Sequence, residues 1–154
     1  MSDGSLSHLE HWNLFRSGQF IHHVAFDERP QLPGRVHALQ ILDTVTAVFE
    51  FAARMAQRNI LSPEAKVTFD LCGVDGLGLS WPKDVFGGSN EVGQNCWSQD
   101  ESFTETRLET PANLKARKRG LALEVALQIY SRFGWLNPPT QCLEEEQNRR
   151  FGAV

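Results

Sequence analysis

The histidines are the first side chains in this 154-residue chain that could do chemistry. They are His8, His11, His22, His23 and His37. A zinc site needs three or four ligands that converge on the metal, and short motifs such as HxxxH or HExxH usually mark one. Neither spacing occurs here. We therefore predict no metal site, no metal or organic cofactor, and histidines at strand edges and on the surface.

A second candidate is a cysteine nucleophile at Cys72, with Asp70, Asp75 and His37 as the acid and base. A reactive cysteine needs a base within hydrogen-bond reach and surroundings that lower the pKa of its thiol. The spacing of these residues indicates neither condition. We predict that Cys72 is a small packing residue on a strand and that the chain has no catalytic residue.

The stretch of residues 82–100 carries Gly87, Gly88 and Gly93 without a regular period. It lacks the GxxxxGK[ST] spacing of a phosphate-binding loop, which favours a connector or a lid. A lid could close over a pocket beside the N-terminal strands. One alternative function is therefore a small-ligand sensor or a hydrolase. Its candidate ligand residues are His22, His23, Asp70 and Asp84.

One dense basic cluster lies near the start of the second predicted helix. It contains Lys115, Arg117, Lys118 and Arg119, and Arg16 would enlarge it if it lay nearby. A basic helix can bind the phosphates of nucleic acid and release condensed counterions. A second alternative is therefore nucleic-acid binding. The opposing interpretation is a solvated helix face, balanced by Glu105, Glu109 and the acidic tail.

Four tryptophans and ten phenylalanines supply many aromatic side chains. Most are expected in the core, and some could anchor an interface. Trp12 is one interface candidate. Phe51 and Leu39 are the others, because the helical spacing places both on the polar side of the first helix.

The first predicted helix, over residues 36–59, is the element around which these candidates are arranged. Its apolar residues recur every three or four positions, which is typical of one buried helical face. They are Ala38, Ile41, Leu42, Val45, Val48, Phe49, Ala52, Met55 and Ala56. Asn59 and the following Ser62-Pro63 predict the end of the helix.

Before this helix, residues 11–26 predict a β-hairpin around Ser17-Gly18. If those two residues form the loop, Phe15 faces Phe20, and His11 and His22 share a face. Asp27 to Arg35, which is rich in proline, is interpreted as a connection.

After the helix, residues 66–72 alternate between apolar and polar, as in a half-buried strand. Asp75-Gly76 predicts a turn into residues 77–81, which would bring Leu71 opposite Ser80 or, with a longer loop or bulge, Trp81. Residues 101–109 predict a further, weakly patterned strand.

Thr110-Pro111 opens the second helix, and Gly134 ends it. The result is an α+β fold of order ββ-α-ββ(β)-α, with an antiparallel sheet of four to five strands and both helices on one face. Residues 1–137 are predicted to form this single domain. Residues 138–154 are a polar tail that either forms one short helix from Thr140 or stays loose.

Composition limits the possible classes of protein. Charged residues at 22% and hydrophobic residues at 41% are typical of a globular domain, and a net charge of −4 argues against strong non-specific binding of nucleic acid by the whole chain. No apolar run approaches the roughly 20 residues that cross a bilayer, so we expect no membrane partner. Cys72, Cys96 and Cys142 lack CxxC spacing, and the N-terminus lacks a signal-peptide pattern, which favours the cytoplasm.

Two segments carry a resemblance to a known family. LFRSGQFIH at residues 14–22 and FEFAAR at residues 49–54 are similar to segments of the C-terminal accessory region of bacterial proteins with a Schlafen/AlbA-type DNA-binding domain. The resemblance implies an accessory or sensory domain of a larger protein, and it assigns no functional residue. Our main hypothesis is a non-catalytic interaction, oligomerisation or sensory module of a bacterial regulatory or defence-type protein. Its partner would be a second copy or another protein domain.

Overall fold

The computed structural model describes residues 10–15, 19–25, 34–61, 63–80 and 96–152 of the chain. Within these ranges it contains six strands and three helices. In chain order they are β1 (Glu10–Leu14), β2 (Phe20–Val24), β3 (Arg35–His37), α1 (Ala38–Gln57), β4 (Ala65–Cys72), β5 (Gly78–Ser80), β6 (Ser102–Glu109), α2 (Pro111–Arg132) and α3 (Thr140–Phe151). The predicted α+β class is confirmed.

Helix α1 lies at the centre of the core, as its apolar stripe predicts. Phe49 and Leu42 are completely buried, and the stripe packs along α2. The helix begins two residues later than predicted because Val36 lies in β3. Asn59 adopts a positive φ of 56°, the left-handed conformation that often follows the end of a helix.

Helix α2 has the start and the end that its sequence predicts. The side chain of Thr110 accepts a hydrogen bond from the backbone N–H of Asn113 at 3.2 Å, and Pro111 occupies the first helical position. Gly134 has a φ of 80° just beyond the helix. Tyr130 is buried between the two long helices and donates a hydrogen bond to the carbonyl of Ala38 at 2.7 Å.

The C-terminal segment is a helix, one of the two alternatives left open for it. Leu143 of α3 is completely buried, and the side-chain amide of Gln147 donates a hydrogen bond to Oγ1 of Thr46 at 2.9 Å. The same amide donates to the carbonyl of Arg119 at 3.2 Å. Packing therefore continues beyond Pro139, and α3 is joined to both long helices.

The predicted single antiparallel sheet is not confirmed. In the described ranges the strands form three two-stranded sheets, which pair β1 with β2, β3 with β5, and β4 with β6. The predicted pairing of Leu71 with residue 80 or 81 is wrong, because Leu71 lies opposite Phe103. Strand β5 instead runs parallel to β3, with α1 in the connection between them.

Asp75-Gly76 forms a turn, but this turn does not fold the chain back onto β4. Gly76 has a φ of 68°, and its N–H donates to the carbonyl of Ser98 at 3.1 Å. A little further on, Leu79 N–H donates to the carbonyl of Cys96 at 2.9 Å. The chain therefore bends at this turn and continues alongside the segment that leads into β6.

The N-terminal hairpin is confirmed, but its predicted register is wrong by one residue. Leu14 lies opposite Phe20, and the N–H of Phe15 donates to the carbonyl of Gln19 at 2.8 Å. The loop between Phe15 and Gln19 therefore has three residues, 16–18, whereas a loop of two residues was predicted. Loop length sets the register of a hairpin, so His11 lies opposite His23. His22 lies opposite Trp12, so the prediction that His11 and His22 share a face is wrong.

Candidate functional site

The candidate ligand residues are not brought together into a described pocket. His22 and His23 lie on β2, whereas Asp70 lies on β4 and accepts a hydrogen bond from Thr104 Oγ1 at 2.6 Å. Asp84 and residues 82–95 lie outside the described ranges. The small-ligand hypothesis therefore remains a prediction. Across the described residues, no group of three or more His, Cys, Asp or Glu side chains could hold a metal ion.

Cys72 is not the packing residue that we predicted. It is exposed at the end of β4 and lies opposite Ser102 of β6. The alternation along β4 correctly groups Cys72 with Thr68 and Asp70, and all three side chains project to the exposed side. The apolar face of the strand is the buried one, so a thiol in this register is directed to solvent.

Three cations of the basic cluster are engaged in ion pairs within the chain. The Lys118 ammonium lies 2.6 Å from a carboxylate oxygen of Glu50, and the Arg119 guanidinium lies 3.3 Å from the other oxygen. Arg117 pairs with Glu124 at 2.7 Å. Their counterions are not the ones predicted from the sequence, because α1 packs along α2 and brings Glu50 to the cluster. Lys115 is exposed, and Arg16 lies outside the described residues.

Two of the three predicted interface residues are engaged inside the chain. Leu39 is 2% exposed and belongs to the core, so its assignment as a surface residue is wrong. The reason is that other elements cover α1 over a wider arc than its apolar stripe. Phe51 packs against Phe20 of β2, with ring centroids 4.3 Å apart. Trp12 lies in β1 opposite His22, and its side chain is outside the described part of the structure.

A charged network joins α3 to α1. Oδ2 of Asp43 accepts a hydrogen bond from Arg150, which also pairs with Glu146 at 3.7 Å. Oδ1 of Asp43 is buried and has no hydrogen-bond partner among the described residues. Burial raises the pKa of Asp43 above its ordinary value of 3.8, and Glu146 adds to the rise, while Arg150 and Arg149 oppose it.

This network predicts a particular pH dependence of stability. Because the pKa of Asp43 is raised in the folded chain, the folded state binds more protons than the unfolded state just above pH 3.8. The contribution of Asp43 to the free energy of unfolding therefore falls as the pH rises from 3.8 through the raised pKa of the folded chain. In Asp43→Asn this fall of the free energy of unfolding with pH is expected to disappear. The measurement is urea unfolding at a series of pH values from acid to neutral. Parallel profiles for the variant and the wild type would contradict this assignment.

The sheet formed by β4 and β6, which we call the open sheet, has one buried and one exposed face. The inner face packs on the helices: Phe69 contacts Phe49 of α1 at 5.9 Å between ring centroids, and Phe103 contacts Phe133 at 6.0 Å. The outer face consists of exposed side chains. They are Lys66, Thr68, Asp70, Cys72, Ser102, Thr104, Thr106 and Leu108. Leu108 is 65% exposed, although it is a large apolar residue.

The outer edge of β4 is the least used part of the open sheet. In the described ranges, β4 pairs with β6 alone, so its other edge has no strand partner. Phe69 belongs to the inner face but remains partly exposed, whereas Val67 and Leu71 on either side of it are buried. An unpaired strand edge presents N–H and C=O groups that can pair with another strand.

The edge of β6 differs, because its charged side chains form ion pairs and hydrogen bonds with side chains of α2. Glu105 lies 3.6 Å from Arg132, and Arg107 donates a hydrogen bond to Gln128 at 3.1 Å. Arg107 also lies 3.6 Å from Glu124. Of the two edges, β4 is therefore the one whose charged side chains have no ion pair with a described residue.

No motif in the sequence marks this edge of β4 as a site. The signal available was the alternation over residues 66–72, which predicts a half-buried strand but not its neighbours. No protein-family model, no curated protein and no solved structure matches this chain. None of the helices in the described ranges is long and apolar enough to cross a membrane.

Proposed function

We propose that this chain is a non-catalytic interaction module of a bacterial regulatory or defence-type protein in the cytoplasm. It would act as a homo-oligomer or docked on a partner domain. The observation that supports this most directly is the open sheet, which combines a long strand edge, unpaired by any strand in the described ranges, with an exposed outer face. The resemblance of residues 14–22 and 49–54 to a Schlafen/AlbA-associated accessory region is consistent with this role.

The physical argument concerns backbone hydrogen bonds. The eight residues of β4 present polar groups on both sides, but β6 satisfies only one side. Pairing that edge with another strand exchanges hydrogen bonds to water for hydrogen bonds to protein and covers the apolar surface beside it. On this proposal, the predicted antiparallel sheet of four to five strands forms only when strands from two molecules pair.

Nucleic-acid binding is the weaker alternative. Lys118 and Arg119 are partly buried and share Glu50, so to bind phosphate they would have to give up an ion pair already made. A ligand site beneath residues 82–100 has no support from a described pocket. Neither alternative explains the unpaired edge.

The test is the molecular mass of the purified chain, measured by size-exclusion chromatography with light scattering over a wide concentration range. We expect a mass that rises to that of a dimer or a larger oligomer and does not change when a short duplex or a single-stranded oligonucleotide is added. A monomer at every concentration would contradict self-association. A monomer that elutes earlier with an oligonucleotide at low salt only would support binding through Lys115 and its neighbours.

A further inference from the structure

The sequence of β4 is complementary to itself in the antiparallel direction. If two copies of the strand pair about a twofold axis at Thr68, Lys66 of each copy lies directly opposite Asp70 of the other. Both side chains are exposed on the outer face, so the symmetric pair contains two cross-strand ion pairs. Neither residue has an ion pair with a described residue of its own chain.

The inner face of this arrangement is also matched. Val67 of one copy lies opposite Phe69 of the other, and Ala65 lies opposite Leu71. All four side chains are apolar, so the inner faces of the two open sheets become continuous. The partly exposed ring of Phe69 would be covered by Val67 of the second copy.

Other registers are less favourable. If one strand slipped by one residue against the other, inner residues would lie opposite outer ones, so only slips of an even number of residues keep the faces matched. Moving the twofold axis to a neighbouring residue is a slip of two residues. An axis at Val67 places Glu64 opposite Asp70, which are like charges. An axis at Phe69 places Lys66 opposite Cys72, which removes both ion pairs.

Two copies of β6 could not pair through their outer edges in the same favourable way. An axis at Thr106 would pair Glu105 with Arg107, but both of these side chains already have partners on α2. It would also place Phe103 opposite Glu109 on the inner face. Glu109 accepts a hydrogen bond from Asn113 of its own chain, and Phe103 packs on Phe133, so this juxtaposition would leave a carboxylate against an aromatic ring.

We infer that two copies of this chain associate through the outer edges of their β4 strands, antiparallel about Thr68, to form a four-stranded sheet of order β6-β4-β4-β6. This inference rests on the proposed function and specifies its partner as a second copy. The ion pairs between Lys66 and Asp70 select the register, and backbone hydrogen bonds along the edge supply the pairing.

The test uses two charge reversals, Lys66→Glu and Asp70→Lys, in the full chain. Either variant alone places two like-charge pairs across the twofold axis, and we expect its dimer dissociation constant to rise roughly tenfold to thirtyfold. In an equal mixture, every Lys66→Glu chain can pair with an Asp70→Lys chain, and both cross-strand pairs become attractive. The mixture is therefore expected to form heterodimers with nearly wild-type affinity, as measured by light scattering and by native mass spectrometry.

Two variants serve as controls. Lys115→Glu reverses an exposed charge on α2 and is expected to leave dimerisation unchanged. Thr104→Ala removes the in-chain hydrogen bond to Asp70 without changing any charge, so it separates loss of that bond from charge repulsion. Circular dichroism confirms that each variant is folded before its mass is compared.

The outcomes separate the inference from the proposed function. Weakened association of both single variants, with recovery in the mixture, supports pairing at β4. A wild-type oligomer that persists unchanged in both variants overturns the β4 inference and leaves the interaction module in place. A mixture of folded variants that fails to form heterodimers also overturns it. A wild-type chain that is always monomeric overturns the β4 inference and the homo-oligomer, and of the proposed function it leaves only docking on a different partner domain.

Discussion

Replacement of Leu143 by alanine is expected to lower the free energy of unfolding by about 2 to 5 kcal/mol, the cost of removing a fully buried leucine side chain. Leu143 has no solvent exposure in α3, and it belongs to the same buried cluster as the stripe of α1. The measurement is equilibrium unfolding in urea, followed by circular dichroism. A large loss would establish that α3 contributes to the stability of the domain.

Leu136→Ala is the matched control, because Leu136 lies before α3 and is 75% exposed. Its replacement is expected to change the free energy of unfolding by less than about 0.5 kcal/mol. If Leu143→Ala were as mild as this control, α3 would not be packed as described. The assignment of residues 138–154 as a tail separate from the domain would then be favoured.

Replacement of Glu50 by alanine is expected to cost about 2 to 4 kcal/mol of the free energy of unfolding, because two partly buried cations lose their shared counterion. The Glu50 side chain is 12% exposed and bridges Lys118 and Arg119 across the interface between α1 and α2. Removal of one partner from such a group costs more than the net stabilisation that the intact group provides. The same urea titration measures the loss.

Glu124→Ala provides the comparison for Glu50, because the Glu124 side chain is 41% exposed. Its removal breaks the ion pair with Arg117 at 2.7 Å and the longer pair with Arg107 at 3.6 Å. A solvent-exposed pair of this kind contributes at most about 1 kcal/mol. Equal effects of the two replacements would show that Glu50 does not hold the cluster together. Tighter nucleic-acid binding by Glu50→Ala, relative to a wild type that binds weakly, would indicate that this carboxylate masks a phosphate site.

Local periodicity and cap residues determined the two long helices of this protein, α1 and α2. The stripe from Ala38 to Ala56 predicts α1, and Thr110-Pro111 with Gly134 predicts both ends of α2, because these signals act over three or four neighbouring residues. The strand of residues 66–72 is predicted by the same kind of local pattern. These features would be expected of the sequence in almost any tertiary context.

The pairing of the strands from β3 to β6, and the shared counterion of Lys118 and Arg119, were decided by the tertiary structure alone. The pairing of β4 with β6, and not with β5, depends on contacts between residues at least 30 positions apart, as in Cys72 opposite Ser102. In the same way, Glu50 meets Lys118 only after α1 packs on α2. The period of a strand specifies which face is buried but not which strand lies beside it. The outer edge of β4 could therefore be identified only once β6 was known to be its strand neighbour in the described ranges.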